Sequence, residues 1–364
     1  MRNMTVSSRS ASRAGGLRLG AVRLLRGQEI GIFLVLCAMI LFFSLSSPRF
    51  FTPVNFSNIL LNFSWTAIAA FGMTMVIISA GIDLSVGSVM AISGLAAATV
   101  LSYDKSPFAD GRSIPDLVIP LGVLAGLGVG ALCGFINGTL ITIARLPPFI
   151  ATLGMLQIAR GVVYGISQGW PVQNLPPNFM NLGRQQIPIG NFNLPLPTLI
   201  MLIAAVLVWL FLSRTKWGYR IFAVGGNEQA ARLSGISVTR TKIMIYTLCG
   251  LLGGAGGVLL TARLGVAAPT AAQGYELDVI AAVVVGGTSL SGGEGSILGT
   301  LIGAAIMGVL RTGLNLIGVE AYWLPAAQGL IIIGAITLDQ WYRRRQGMHG
   351  GFSNLFSGWF GRPK

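Results

Sequence analysis

The sequence is poor in charge and nearly free of the side chains that catalysis and metal binding use most. Only 10% of its 364 residues are charged, and its single histidine, His349, lies in a polar tail. It contains no G-x-x-x-x-G-K-[ST] motif and no Gly-Lys pair, so it has no loop of the usual kind for nucleotide phosphates. Its apolar segments contain neither a paired base and nucleophile nor clustered metal ligands. We therefore expect no catalytic residue, metal or cofactor on this chain.

Cysteine is also scarce. The three cysteines, Cys37, Cys133 and Cys249, lie inside apolar runs and are not spaced as metal ligands or redox pairs are. We expect them to be small core residues, which excludes a disulfide framework and a zinc site.

What the sequence has in abundance is apolar length. Hydrophobic residues make up 53%, there are 50 glycines, and the mean hydropathy is +0.73, which indicates an all-α polytopic membrane protein. Segments near the length of a membrane helix predict about ten spans, of which the eighth is the weakest. They are Ile30–Leu45, Ile59–Ala80, Ser85–Leu101, Leu117–Ile143, Phe149–Ile166, Pro195–Leu212, Ile243–Ala262, Val279–Gly286, Ile297–Ile317 and Tyr322–Leu338.

The net charge of +14 is explained by topology and needs no nucleic acid. Lys and Arg cluster in residues 1–29, in the loop 213–242 and in the tail 341–364. An excess of Lys and Arg is typical of the cytoplasmic loops of membrane proteins. Six spans and then four separate these clusters, so all three fall on one side. We expect a basic cytoplasmic N-terminal tail (1–29), a transmembrane domain (30–340) and a basic, Gly-rich cytoplasmic C-terminal tail (341–364).

The chain contains a candidate internal repeat. "SAGIDLSVGSVMAISGLAAAT" aligns with "VGGTSLSGGEGSILGTLIGAA" when two residues are inserted in the second copy, so that Gly81 meets Gly287 and Ser85 meets Ser291. The copies lie six spans apart, which predicts a parallel repeat with broken helices, as transporters use. The alternative is convergence of two Gly-rich membrane turns.

Glycine spacing predicts close helix packing. Gly122, Gly126, Gly130, Gly134 and Gly138 recur every four residues along the fourth span, a small-residue ridge that lets a neighbouring backbone approach. We expect this helix to be central.

Asp83 lies in the first Gly/Ser break, where hydrocarbon would penalise an isolated carboxylate. One interpretation is that Asp83 and Ser85 cap the following helix. The other is that the two breaks, around Asp83 and Ser289, are discontinuous helices that face each other near the translocation path or its gate. The candidate pathway or gate residues are Asp83, Ser85, Asn137, Arg160, Ser289 and Ser291.

Two further charges, Arg160 and Arg311, fall inside predicted spans and are functional candidates for that reason. Asn62, Ser64 and Gln157 are polar residues that could also face a pathway.

The basic loop 213–242 contains "GGNEQAARLSGIS", which predicts a short helix. Asn227 is a candidate N-cap, Glu228 lies in the first turn, and Gly235 is a candidate stop. A helix this short needs packing against the bundle or a partner. The alternative is a solvated positive-inside loop.

Four motifs carry a resemblance to a family. "GMTMVIISAGIDLSVGSVMA", "FINGTLITIARLPPFIATLGMLQIARG", "GYRIFAVGGNEQAARLSGI" and "YELDVIAAVVVGGTSLSGGEGSILGT" closely resemble the membrane subunits of bacterial ABC importers for ribose, xylose, galactose and other simple sugars. The resemblance runs from about Asn55 to Asp339.

The resemblance implies a non-catalytic permease in the bacterial cytoplasmic (inner) membrane. It implies a second permease subunit, a cytoplasmic ABC ATPase that holds the ATP and Mg, and a periplasmic or lipid-anchored sugar-binding protein. It also implies that the loop helix is the coupling helix that docks on the ATPase, through Gly225, Gly226, Asn227, Glu228, Ala231 and Gly235. The alternative is a related ABC permease whose cargo is another small polar solute, such as a nucleoside, an autoinducer-like furanose or an amino acid. An ion-coupled secondary carrier is disfavoured, because carriers need intramembrane titrating groups and few carboxylates occur here.

Overall fold

The computed structural model describes residues 27–109, 115–330, 333–334 and 337. These residues are mostly helical, with one short hairpin. The elements are α1 (Gly27–Ser46), α2 (Pro53–Ile78), α3 (Val86–Leu101), α4 (Val118–Thr142), α5 (Pro148–Ser167), α6 (Pro177–Arg184), β1 (Gln186–Ile189), β2 (Phe192–Pro195), α7 (Leu196–Arg214), α8 (Lys216–Gly226), α9 (Glu228–Leu233), α10 (Val238–Leu264), α11 (Tyr275–Val285), α12 (Ile297–Leu316) and a 3-10 turn (Ala321–Trp323).

Seven helices of the described part are long and apolar enough to cross a membrane, namely α1, α2, α4, α5, α7, α10 and α12. The predicted third and eighth spans form the shorter helices α3 and α11, of 16 and 11 residues. An 11-residue helix rises about 16 Å, roughly half of a hydrocarbon core. The predicted tenth span lies partly outside the described residues, as do the N-terminal tail through residue 26 and the C-terminal tail. The count of ten stays a prediction.

The centre of the bundle is α2. Of its apolar window, 94% is buried, against 28% for α4 and 11% for α1. The expectation that the glycine-ridged fourth span would be central was wrong, because the ridge packs one face of α4 closely and leaves the others exposed.

The ridge itself packs as expected. Gly130 lies against Gly250 O of α10, Gly134 against Tyr246 O, and Gly138 against the Cα of Ile243. Each contact is to backbone, so any side chain at these glycines would force α4 and α10 apart.

The connection between α5 and α7 covers one end of α10. It contains α6 and the antiparallel hairpin, in which Gln186 pairs with Pro195 and Ile189 with Phe192. The Arg184 guanidinium donates to Arg263 O and Leu264 O at 2.9 Å each. It thereby satisfies carbonyls that the last turn of α10 would leave unpaired.

Candidate functional site

The segment between α7 and α10 folds as two short helices that meet at a corner. Thr215 caps α8, since its hydroxyl oxygen accepts a hydrogen bond from Gly218 N at 3.3 Å. Asn227 caps α9, since its Oδ1 accepts a hydrogen bond from Ala230 N at 2.9 Å. These bonds satisfy N–H groups that a helix start leaves unpaired, and the predicted role of Asn227 is confirmed.

The predicted stop is also present. Gly235 has a φ of +82°, a conformation that L side chains rarely adopt. Its N–H donates to Arg232 O at 3.1 Å, and Ile236 N donates to Ala231 O at 3.0 Å. This reversal ends α9 and turns the chain into α10.

Packing fixes α9 against its neighbours. Ala231 is buried against Val224 of α8 and Val238 of α10. Lys242 Nζ lies 2.7 Å from Glu228 Oε2, which ties the start of α9 to α10. A six-residue helix that would be unstable alone is thus held in one orientation.

The charge of Glu228 is favoured by its neighbours. A hydrogen bond from Lys242 holds the pKa of Glu228 below its ordinary value of 4.5, and Arg232, at 3.3 Å, acts in the same direction. Glu228 is therefore ionised at neutral pH.

The outer face of α9 is exposed. Leu233 is 84% exposed, and the side chain of Arg232 is 68% exposed. An apolar tip beside a cation, on a helix held rigidly from behind, is a surface suited to a protein partner.

Gly225, the last residue but one of α8, is buried where three segments meet. Gly225 packs against Ile78 O at the end of α2, and Gly293 N donates to the same oxygen at 2.8 Å. Gly292 packs against Ala80 and against Gly225 O. We call Ile78, Gly225, Gly292 and Gly293 the glycine junction.

The junction joins the α8–α9 corner to both Gly/Ser breaks of the chain. One break follows α2, and the other connects α11 to α12. The two breaks are therefore in direct backbone contact, and the corner touches both. The next residue of the corner differs sharply, because Gly226 is exposed and a Cβ there would meet no described atom within 4 Å.

The first break is bound to α4 and α10 by buried polar groups. Asp83 is 2% exposed, and its Oδ1 accepts hydrogen bonds from Ser85 N at 2.9 Å and Ser85 Oγ at 2.6 Å. Asn137 Nδ2 of α4 donates to Ser85 Oγ at 2.9 Å, and Tyr246 of α10 donates to Ile82 O at 3.2 Å. Asn137 Oδ1 has no partner among the described residues.

The capping interpretation of this break needs correction. Ser85 occupies the N-cap position of α3 but makes no side-chain cap bond, and its backbone is helical there. Asp83 instead closes a turn just before the helix, by accepting from the N–H two residues on. The carboxylate thus holds the shape of the break, and it is buried rather than lining an open surface.

The second break is shaped by Ser289 and Ser291. Ser289 is buried and its N–H donates to Glu294 O at 3.1 Å, while the exposed Ser291 donates its N–H to Ser289 Oγ at 3.2 Å. Ser296 caps α12, since its Oγ accepts from Gly299 N at 2.9 Å. The aligned serines of the two predicted repeats, Ser85 and Ser291, therefore differ in burial.

Arg160 is half-buried in α5. Its Nη1 donates to Pro269 O at 2.8 Å and to Ala271 O at 2.9 Å. It therefore holds the connection between α10 and α11 against α5.

Arg311 has a charged partner, which the sequence did not identify. Its Nη2 lies 2.6 Å from Asp278 Oδ2, and its guanidinium carbon lies 5.5 Å from the centre of the Tyr275 ring. Asp278 is buried, so this pair neutralises a carboxylate between α11 and α12.

The remaining polar candidates differ from one another. Ser64 is buried and hydrogen-bonds Thr198 of α7 at 3.1 Å, whereas Asn62 and Gln157 are exposed.

The described residues contain no group of three or more His, Cys, Asp or Glu side chains that could hold a metal. All three cysteines are free thiols; Cys133 and Cys249 are buried as expected, but Cys37 is exposed on α1, so the expectation of a core residue was wrong there.

A family model described as "Branched-chain amino acid transport system / permease component" matches residues 55–338, from the first turn of α2 to beyond α12. The matched range contains the glycine junction, both breaks and the α8–α9 corner.

Curated relatives cover most of the chain. The ribose import permease protein of Bacillus subtilis (strain 168) is 43% identical over 314 residues, which is 86% of this chain and 93% of the relative. The fructose import permease protein of Rhizobium meliloti is 39% identical over 319 residues, 86% of each. The galactose/methyl galactoside import permease protein of Escherichia coli (strain K12) is 37% identical over 318 residues, 86% of this chain and 94% of the relative. No solved structure shows a significant match to the chain.

Proposed function

The chain belongs to the family described as branched-chain amino acid transport system / permease component, and its seven long apolar helices make it a multi-pass membrane protein. From that premise we propose that it is the translocation subunit of an ATP-driven, binding-protein-dependent importer of a monosaccharide, a ribose-like pentose or a hexose. The names of relatives that are 37–43% identical favour a sugar over the amino acid of the family description. The membrane is the bacterial cytoplasmic (inner) membrane.

One observation supports the coupled mechanism above the others. The α8–α9 corner has an exposed outer face at Leu233 and a buried inner residue, Gly225, wedged against the backbones of both breaks. A partner that pushes on the outer face would displace the inner residue, because α9 is held to α8 and α10 by Ala231 and by the Glu228–Lys242 contact.

The proposed mechanism follows from this arrangement. A cytoplasmic ABC ATPase binds ATP and Mg, docks over α9, and moves the corner as the ATPase pair closes. The coupling residues are Gly225, Gly226, Asn227, Glu228, Ala231 and Gly235. The glycine junction passes the displacement to the end of α2 and to the α11–α12 turn, which opens or closes the pathway.

The remaining parts of the importer are separate chains. A periplasmic or lipid-anchored sugar-binding protein delivers the cargo, and a second permease subunit, in a homodimer, completes the pathway. This chain itself holds neither nucleotide nor metal in the proposal, which agrees with the lack of a phosphate-binding loop in its sequence.

The proposed topology has ten crossings, with both ends in the cytoplasm and a parallel repeat about the two breaks. The charge distribution supports it, since the three basic clusters then share one side. In this arrangement α9 lies on the cytoplasmic side, where an ATPase can reach it.

The six candidate pathway or gate residues take different parts in the proposal. Asp83, Ser85 and Asn137 fix the first break to α4, whereas Ser289 and Ser291 shape the second. Arg160 is the candidate nearest to a pathway, because it positions an irregular segment at the depth of the spans.

Purification from native membranes in mild detergent, followed by reconstitution with any co-purifying ATPase and the binding protein, tests this proposal. We expect ATP-dependent uptake of at least one of ribose, fructose and galactose. If the importer instead takes up a branched-chain amino acid in an ATP-dependent way, the cargo is an amino acid and not a sugar, which the family description allows. Uptake by the chain alone without ATP would favour a secondary carrier and refute the importer.

A further inference from the structure

The connection from α10 to α11 runs back into the bundle instead of across its end. We call residues 265–274 the returning segment. It leaves α10 at Gly265, pairs as an antiparallel bridge with Val172 through Ala267, and is gripped by Arg160. It then reaches the first turn of α3, where Ala272 O and the Glu276 carboxylate pack against Gly87.

The depth of that contact can be measured along α10. Val86, beside Gly87, packs against Gly253, with 3.2 Å between its Cγ2 and the position of a Cβ at Gly253. Gly253 lies 11 residues (264 − 253) before Leu264, where α10 ends. That separation is about 16 Å of helix. The returning segment therefore descends about half the depth of a hydrocarbon core.

Irregular backbone at such a depth must be enclosed by protein or line a water-filled cavity, because lipid cannot satisfy its polar groups. Part of this region is not enclosed by the described chain. Gln273 is exposed and Glu276 is half-buried, with its carboxylate beside Gly87, while Gln157 is exposed on the adjacent α5, one turn from Arg160. Such side chains would be costly against lipid.

The charges of this surface balance. Glu276 lies within electrostatic range of Arg160, yet among the described residues the two form no ion pair within 4.0 Å. The Arg160 Nη1 is occupied by two backbone carbonyls, so Arg160 positions the returning segment. The carboxylate of Glu276 and the amides of Gln273 and Gln157 offer acceptors and donors, and the net charge is zero once the guanidinium of Arg160 is counted.

Such a set suits a neutral ligand that carries several hydroxyl groups, each of which both donates and accepts. An ion would find no net charge, and an apolar ligand would leave the amides unpaired. We infer that Glu276, Gln273 and Gln157 form an intramembrane contact site for the hydroxyl groups of the transported monosaccharide, positioned by Arg160. This inference rests on the proposed function and assigns it a place in the chain.

The test uses the full importer in liposomes and measures uptake of radiolabelled ribose, fructose and galactose together with ATP hydrolysis. The variants are Gln273→Ala, Gln157→Ala and Glu276→Gln. We expect each to lower sugar uptake per ATP hydrolysed roughly three- to tenfold, as loss of one or two hydrogen bonds would. ATP hydrolysis stimulated by the binding protein should stay near the wild-type rate, because the α8–α9 corner is untouched.

Matched controls come from the same chain. Gln186→Ala changes an exposed glutamine in the hairpin, and Glu320→Gln changes an exposed glutamate beyond α12. Both should keep the wild-type ratio of sugar to ATP. Detergent-extracted protein of each variant is compared by size-exclusion chromatography, and Gln273→Ala, at an exposed position, keeps the test valid if Glu276→Gln folds poorly.

Two outcomes would overturn the inference in distinguishable ways. If the wild-type importer moves the sugar and the three variants keep its ratio of sugar to ATP, the contact site is refuted and the proposed function stands. If the wild-type importer moves none of the three sugars, the proposed function fails, and the sugar assignment of this surface fails with it.

Discussion

The glycine junction makes a sharp prediction, because two adjacent glycines have opposite surroundings. At Gly225 a Cβ would overlap Ile78 O and lie 2.8 Å from Gly293 N. At Gly226 a Cβ would meet no described atom within 4 Å. Both residues belong to α8, where alanine is at least as favourable as glycine. Gly225→Ala and Gly226→Ala therefore differ only in the junction.

The cost of Gly225→Ala can be bounded. The obstacle is backbone on both sides, so no side chain can turn away, and the corner must separate from α2 or from the second break. Overpacking of this kind costs about 1–3 kcal/mol. Separation would also strain the Gly293–Ile78 hydrogen bond, which contributes about 0.5–1.5 kcal/mol. Gly226→Ala should instead stabilise α8 by up to about 1 kcal/mol.

The assay compares uptake with ATP hydrolysis in liposomes. A junction opened by a methyl group would still let the ATPase dock on α9, since Leu233 and the Glu228–Lys242 contact are unchanged. We therefore expect Gly225→Ala to keep at least half of the binding-protein-stimulated ATP hydrolysis while uptake falls about tenfold, a loss equivalent to about 1.4 kcal/mol. Gly226→Ala should retain both.

Three results would contradict this reasoning. Normal uptake by Gly225→Ala at normal abundance would show that the junction does not carry the displacement. Equal losses in both variants would mean that glycine flexibility, not the junction, is what matters. Parallel loss of hydrolysis and uptake would locate the defect in docking.

Four further predictions concern polar contacts. Because Lys242 lowers the pKa of Glu228, the Glu228–Lys242 contact contributes fully to stability above pH 4.5 and loses this contribution only as the pH falls through the lowered pKa. We therefore expect the ratio of sugar uptake to ATP hydrolysis to be flat from about pH 6 to 8. Glu228→Gln should lower that ratio while costing only about 0.5 kcal/mol of stability, since the pair is partly exposed; an unchanged ratio would detach Glu228 from coupling. Asp278→Asn should cost about 2 kcal/mol in thermal unfolding, less than for a fully buried pair because Arg311 is partly exposed, and adding Arg311→Gln should recover part of the loss; simple additivity would argue against the pair. Asp83→Ala should lower abundance by leaving buried Ser85 groups unpaired, at about 1–3 kcal/mol, whereas Asp83→Asn keeps the acceptor and should be milder; normal abundance of Asp83→Ala with altered transport would favour a gate.

Local features of the α8–α9 corner could be predicted from the sequence because they depend on residues close together in the chain. A cap at Asn227 and a left-handed stop at Gly235 depend on residues within one turn of the helix. The long apolar runs predicted helices for the same reason, since length and composition alone decide them.

Features that depend on contacts distant in sequence could not be predicted. The partner of Arg311 is 33 residues away, and the contact between Ile78 and Gly293 depends on how α2 and α12 pack. The capping interpretation at Ser85 was wrong because the Ser85 hydroxyl donates to Asp83 Oδ1 and accepts from Asn137 Nδ2, and it caps no N–H of α3. The returning segment was missed because its residues, 265–274, are small and weakly polar and resemble an ordinary loop.

The polar groups of this chain fall into two sets, and the division bears on where the pathway lies. Asp83, Asp278 and Asn137 are buried and bonded within the bundle, as polar groups at membrane depth must be. Gln273, on the returning segment, is exposed, and Glu276, in the first turn of α11, is only half-buried in the described chain. A bundle that satisfies its other intramembrane carboxylates internally would be unstable if it presented Glu276 to lipid. The face formed by the returning segment and α5 must therefore meet water or a second subunit, and a water-filled pathway between two subunits would supply both.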